Sequence, residues 1–204
     1  MSVEELVLFI FEMVGTVAFA ISGAMTALGG GIVWDILIGH LPPTMFSDYR
    51  YVMVAVITSV IVFIVAYIFR DSYRKSEKTV DAVNNVFDAL GLGVFTVMGA
   101  KVAIESGFTV NGILVVCLAV VTGVGGGLIR DVMLMEIPFV LKKRIYAVAS
   151  ILGGTAYHLM YIHNVNVRAA SIIAVLIVFA VRILATVFKL DLPKVRFPKE
   201  EKSI

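Results

Sequence analysis

The chain has 204 residues, of which 60% are hydrophobic and only 16% charged, with a mean hydropathy of +0.99 and a net charge of +2. Soluble domains carry about 45–50% apolar and about 25% charged residues, so a water-soluble fold is excluded, and the near-neutral balance argues against a nucleic-acid partner. The apolar runs are long and lack the short alternation of barrel strands, which predicts an all-α integral membrane protein in a single domain over 1–204.

The first predicted span covers 3–25 and contains Glu12. Its start, MSVEELVLFIFEMVG, is acidic and has no basic residue. It is therefore expected to stay in place as a span rather than to be cleaved as a signal peptide. A short apolar segment follows at 26–39. At ~1.5 Å per residue it covers about 21 Å, less than the ~30 Å hydrocarbon core. It is expected to be a fragment of a span, entered by a sharp reversal near Met25–Thr26; were 3–39 instead one continuous helix, the N-terminus would be cytoplasmic. A span at 51–69 and the polar linker RDSYRKSEKTVDAVNN (70–85) close the first half. Further spans are predicted at 86–105, 111–135, 144–162 and 167–188.

Lysine and arginine give the orientation. The linker holds Arg70, Arg74, Lys75 and Lys78, and the 136–144 loop holds Lys142, Lys143 and Arg144. The tail adds Lys189, Lys194, Arg196, Lys199 and Lys202. These three regions are expected to be cytoplasmic, which puts the C-terminus inside and the N-terminus outside.

The two halves repeat one another. Phe11, Gly15, Phe19, Gly23 and Ala24 match Phe87, Gly91, Phe95, Gly99 and Ala100 at an offset of 76, and Glu12 matches Asp88. Thr26, Gly29, Gly30, Gly31, Asp35 and Pro42 match Thr122, Gly125, Gly126, Gly127, Asp131 and Pro138 at an offset of 96. The offset jumps by 20 between Met25 and Thr26, so residues 102–121 have no counterpart in the first half. Three spans per repeat make the second copy enter the membrane upside down. The expected layout is repeat 1 over 1–80, shortened by the same 20 residues, repeat 2 over 81–165, a seventh helix over 166–190 and a cytoplasmic tail over 191–204.

Three glycines cost a helix about 3 kcal/mol relative to alanine. Glycine also serves close helix packing in membranes, but matched triplets point to kinks lining a polar path. Candidate path residues are Gly29, Gly30, Gly31, Gly125, Gly126 and Gly127, with the hydroxyls of Thr26 and Thr122. Charges inside spans mark ion pathways or internal pairs: Glu12, Asp35, Asp88, Lys101, Arg130, Asp131 and Arg182. Arg130 and Asp131 are adjacent, so each is expected to find its partner on another helix. For Arg130 the expected partner is Asp35, Asp88 or Glu12. Trp34 stands where the second half has Arg130. Cys117 is the single cysteine, and His158 and His163 are five residues apart, so neither a disulfide nor a metal site is expected. No residue set suggests an enzyme or a bound cofactor.

The segments SGAM, ALGGGIV, IGHLPP, FDALGLGVFTVMGAK and TGVGGGLIRDV with EIP resemble the prokaryotic TRIC (trimeric intracellular cation channel) family over nearly the whole chain. The resemblance implies two inverted three-helix repeats plus a seventh helix, glycine-kinked second and fifth helices, and a homotrimer in the cell inner membrane with lipid around it. It further implies one pore per protomer, permeable to potassium or other monovalent cations. Two features depart from the family pattern: the first half of the second helix is absent, and Trp34 replaces an arginine. A secondary transporter of a small zwitterion such as glycine is the alternative, since inverted repeats with broken helices also suit alternating access. A membrane subunit with internal ion pairs alone is a third.

Overall fold

The computed structural model describes residues 23–68, 77–135, 137–142 and 145–188. Glu12 and the first-half matches Phe11, Gly15 and Phe19 lie outside the described residues, as does the tail. Every regular element among the described residues is helical. In chain order they are α1 (Gly23–Ile38), α2 (Thr44–Ser47), α3 (Tyr49–Ile68), α4 (Glu77–Ala103), α5 (Gly112–Met133), α6 (Phe139–Lys142), α7 (Ile145–Ile162) and α8 (Val167–Val187). Among the described residues four helical stretches are long and apolar enough to cross a membrane: Asn85–Phe108, Gly112–Met133, Ile145–Ile162 and Val167–Val187. The chain is an all-α integral membrane protein.

Helix ends follow local chemistry. Asn111 and Asn166 cap α5 and α8, each side-chain oxygen accepting a backbone N–H of the first turn, from Leu114 at 3.1 Å and Arg168 at 2.9 Å. Gly39 (φ 77°) ends α1: its N–H donates to Ile36 O, and that of His40 to Asp35 O at 2.7 Å. That pair of bonds satisfies two terminal carbonyls and needs a left-handed residue, which glycine adopts without strain. Met135, 96 residues on, is also left-handed (φ 56°) and donates to Val132 O, the equivalent bond. A proline and a one-turn helix follow in both halves, so the turn after α1 and the turn after α5 are built alike.

Two boundaries differ from the sequence reading. No reversal occurs at Met25–Thr26, because α1 runs unbroken from Gly23 through both residues. The polar linker is partly helical: α4 is described from Glu77, and nothing in EKTVDAVNN breaks a helix. Past Ala103 the helix loosens into a wider π turn over Ile104–Phe108, where Gly107 takes φ 91°.

The core lies among α4, α5, α7 and α8. Small residues dominate it: Ala89, Ala100, Ala103, Ala119, Ala149, Ala170 and Ala174 are all buried, with Leu92, Val115, Val178 and Tyr157 filling the gaps. Lipid gives helices no hydrophobic reason to associate, so close backbone approach is what holds them. α1 packs on α3 through Ala24, Leu28 and Ala55, and a Cβ on Gly23 would lie 2.6 Å from Ser59 Oγ. The outer face of α3 is a run of exposed aliphatics including Val54, Ile57, Ile61 and Val62.

Candidate permeation site

The two glycine triplets meet. A Cβ on Gly30 would sit 2.6 Å from the carbonyl oxygen of Thr122, and one on Gly126 would collide with the carbonyl oxygen of Thr26. A Cβ on Gly29 would lie 3.2 Å from Gly126 Cα, and one on Gly125 would lie 3.7 Å from Gly30 Cα. Under the offset of 96 each contact maps onto its partner: 30 with 122 becomes 126 with 26, and 29 with 126 becomes 125 with 30. Such reciprocity is what a local twofold relation between α1 and α5 requires. The third glycine of each triplet turns elsewhere. Gly31 has the Trp34 indole nitrogen as its nearest neighbour, 3.8 Å from a Cβ, and Gly127 has the Tyr146 hydroxyl at 3.4 Å and Arg130 Nη2 at 3.9 Å.

The kinks expected at the triplets do not break either helix. The backbone stays α-helical through both triplets, and the left-handed glycines among the described residues are Gly39 and Gly107. The physical reason is the crossing itself. Two helix backbones in contact cannot accommodate a Cβ at Gly30 or Gly126, so the triplets are needed for approach rather than for breakage.

Polar groups cluster beside the crossing. Thr122 is 1% exposed, and its hydroxyl has no hydrogen-bond partner among the described residues. A Cβ on Gly99 would lie 2.6 Å from that hydroxyl. One residue on, Gly123 leaves room for a buried bond between Thr96 and Ser150 (2.6 Å), and Ser150 Oγ also reaches the carbonyl of Ala119 at 3.5 Å.

The charges sort into three groups. Arg182 on α8, 1% exposed, donates through Nη2 to Asp88 Oδ2 at 3.1 Å and to Asn85 Oδ1 at 3.3 Å. Tyr146 on α7 donates to Asp88 Oδ1 at 3.3 Å, and the Arg182 guanidinium stacks 4.7 Å from its ring centre. Arg130 does not pair across helices with Asp35 or Asp88 as expected. It folds back onto Asp131, with Nε and Nη2 each 2.9 Å from Oδ1. Adjacent Cβ atoms diverge on a helix, but the arginine stem is long enough to return, and Asp88 is already held by Arg182. The third group is Asp35, 4% exposed, which accepts from Thr44 N–H at 2.7 Å and Thr44 Oγ1 at 3.3 Å and has His40 Nδ1 at 3.4 Å. Lys101 is exposed and beside Glu105 of the next helical turn at 3.6 Å. Sequence reasoning missed Tyr146, Asn85, Thr96 and Ser150, because lone polar residues in apolar runs carry no spacing signal. Among the described residues no group of His, Cys, Asp and Glu could hold a metal ion.

Fold and site thus define a helical membrane protein whose two halves are joined at paired glycine triplets. A family model described as glycine transporter matches residues 23–67 and 85–162. The inner membrane protein YadS of Escherichia coli is 33% identical over 204 residues, covering 89% of this chain and 93% of its own. YvgT of Bacillus subtilis, a UPF0126 membrane protein, is 32% identical, covering 76% and 81%. A solved TRIC cation channel, from work on the structural basis for conductance, superposes with a TM-score of 0.71 at 33% identity, covering 92% of this chain and 97% of that one. The TRIC trimeric intracellular cation channel orthologue from Rhodobacter sphaeroides also gives 0.71, at 25% identity over 86% and 95%. The chain belongs to the prokaryotic TRIC family, whose members include the UPF0126 membrane proteins.

Proposed function

We propose that the chain is a monovalent cation channel, permeable to potassium, with one path per protomer of a homotrimer in the cell inner membrane. The observation that carries this reading is the reciprocal crossing at Gly30 and Gly126, with the unpartnered Thr122 hydroxyl beside it. A helical carbonyl keeps a second lone pair beyond its helix bond, and with a hydroxyl it offers oxygen ligands of the kind that replace part of a cation's hydration shell. The solved relatives support it, being described as cation channels and, for the Rhodobacter protein, as trimeric. On this reading Gly29–Gly31, Gly125–Gly127, Thr26 and Thr122 flank the path, and Arg130 and Asp131 stand at one end of it. The remaining charges, Asp35, Asp88, Lys101 and Glu12, act on the helices that frame the path.

The two halves are proposed to be inverted repeats, with the C-terminal tail in the cytoplasm, as the lysine and arginine distribution requires. Repeat 1 (1–80) is proposed to be about twenty residues short of repeat 2 (81–165). The alignment to YadS supports this, since it runs over 204 residues yet uses 89% of this chain.

The description of the matching family favours a second reading, transport of glycine. Transporters of that kind bind substrate at discontinuous helices, whereas α1 and α5 are continuous through their triplets. Purified protein in planar bilayers should carry potassium current and should not concentrate labelled glycine in vesicles. Glycine uptake without current would replace the channel reading with the transporter one.

A further inference from the structure

We propose that His40 serves Asp35 as the counter-charge that Arg130 gives Asp131, so that the end of α1 is held by a histidine–carboxylate pair where the end of α5 is held by an arginine–carboxylate one. The two aspartates are equivalent under the offset of 96, and both are nearly buried, at 4% exposure. A carboxylate removed from water needs hydrogen bonds and an opposite charge. On α5 the preceding residue supplies that charge at 2.9 Å. On α1 the preceding residue is Trp34, whose indole is only a neutral donor and makes no hydrogen bond among the described residues. Asp35 is instead met from the turn that follows. Thr44 donates twice, and the His40 imidazole stands 3.4 Å from Oδ1. The residue equivalent to His40 in the second half is Glu136, so the exchange is reciprocal in sequence: Trp and His in one copy, Arg and Glu in the other.

The turn is built to bring His40 there. Gly39 reverses the chain in the left-handed conformation, and the His40 N–H bonds to the Asp35 carbonyl oxygen at 2.7 Å. The His40 backbone is thus bonded to the same residue whose carboxylate its exposed side chain faces. Imidazole attracts a carboxylate as a charge only when protonated, and histidine is the side chain that changes charge between pH 5 and 8. The other charged and titratable groups on α2 and α3 near this end are Asp48 and Arg50, which face each other at 4.0 Å, and the exposed Tyr49 and Tyr51. On α5, Arg130 and Asp131 are engaged with one another. None of these stands within ion-pair distance of Asp35 among the described residues.

The test is thermal melting of the purified full chain in detergent, which does not depend on conduction. His40→Ala should lower Tm by about 2–4 °C at pH 5.5, and by less at pH 8.0. The loss should disappear in a Trp34→Arg background, where α1 has its own arginine, and in an Asp35→Asn background. Should one background fail to fold, the other decides. A loss equal at both pH values, or one retained in whichever background folds, would overturn the proposal.

Discussion

Arg182 is the largest fully buried side chain among the described residues, and it sits on the helix outside the repeats. Its guanidinium is bonded to Asp88 and Asn85 and stacked on Tyr146, so α4, α7 and α8 are joined at one point. Removing one member of a buried pair strands the other charge, at a cost of about 3 kcal/mol or more. We therefore expect Arg182→Met to lower Tm by roughly 6–12 °C, and the double change Arg182→Met with Asp88→Leu to restore much of it. A melting experiment on the four proteins checks this; a double variant no better than the single would refute the pairing as the cause. Arg130 is more exposed, close to the Tyr146 hydroxyl and to Gly127. Arg130→Ala should alter single-channel conductance or its voltage dependence while leaving assembly intact, and unchanged currents would remove it from the path. That charges mattered was legible from their cost in lipid. Which charges pair was not, because pairing depends on helix rotation, and nothing in the spacing of Asp88 and Arg182, 94 residues apart, reveals it.

At the scale of elements, the glycines of each triplet are not alike. Gly30 and Gly126 each face a backbone carbonyl that cannot move aside, whereas Gly31 has 3.8 Å of clearance. Gly30→Ala and Gly126→Ala should each push α1 and α5 apart, costing about 1–3 kcal/mol. Gly31→Ala should be neutral or stabilising by up to ~1 kcal/mol, since alanine favours helix and meets nothing. Thermal melting of the three variants distinguishes them, and equal destabilisation would mean that the crossing does not discriminate. The helices themselves were readable in the sequence: the predicted spans at 111–135, 144–162 and 167–188 lie within two residues of α5, α7 and α8 at each end. The triplets were readable as a site but not as a geometry. Glycine runs permit both unwinding and close approach, and only the facing surface, which is itself another glycine triplet, decides between them. The reversal expected at Met25–Thr26 had no glycine or proline to make it, and α1 passes straight through.

At the scale of the whole molecule, the repeat organises everything else. The left-handed residues at Gly39 and Met135, the prolines at 42 and 138 and the reciprocal crossing all obey one offset. The offset was visible in the sequence because glycine, proline and aspartate are fixed by backbone geometry, while the apolar positions between them were free to vary. Twenty residues placed between Met25 and Thr26 and patterned on 102–121 should raise expression and, on the proposed reading, the stability of the trimer in size-exclusion chromatography; no change would mean that the first half needs no such segment. The central claim, that cations pass beside the crossing, is tested most directly at Thr122. In a Cys117→Ser background, Thr122→Cys should be modified by a small cationic thiosulfonate, and the potassium current through bilayers should fall as modification proceeds. A conducting protein whose introduced cysteine stays unmodified, or whose current is unchanged once mass spectrometry shows full modification, would place the path elsewhere.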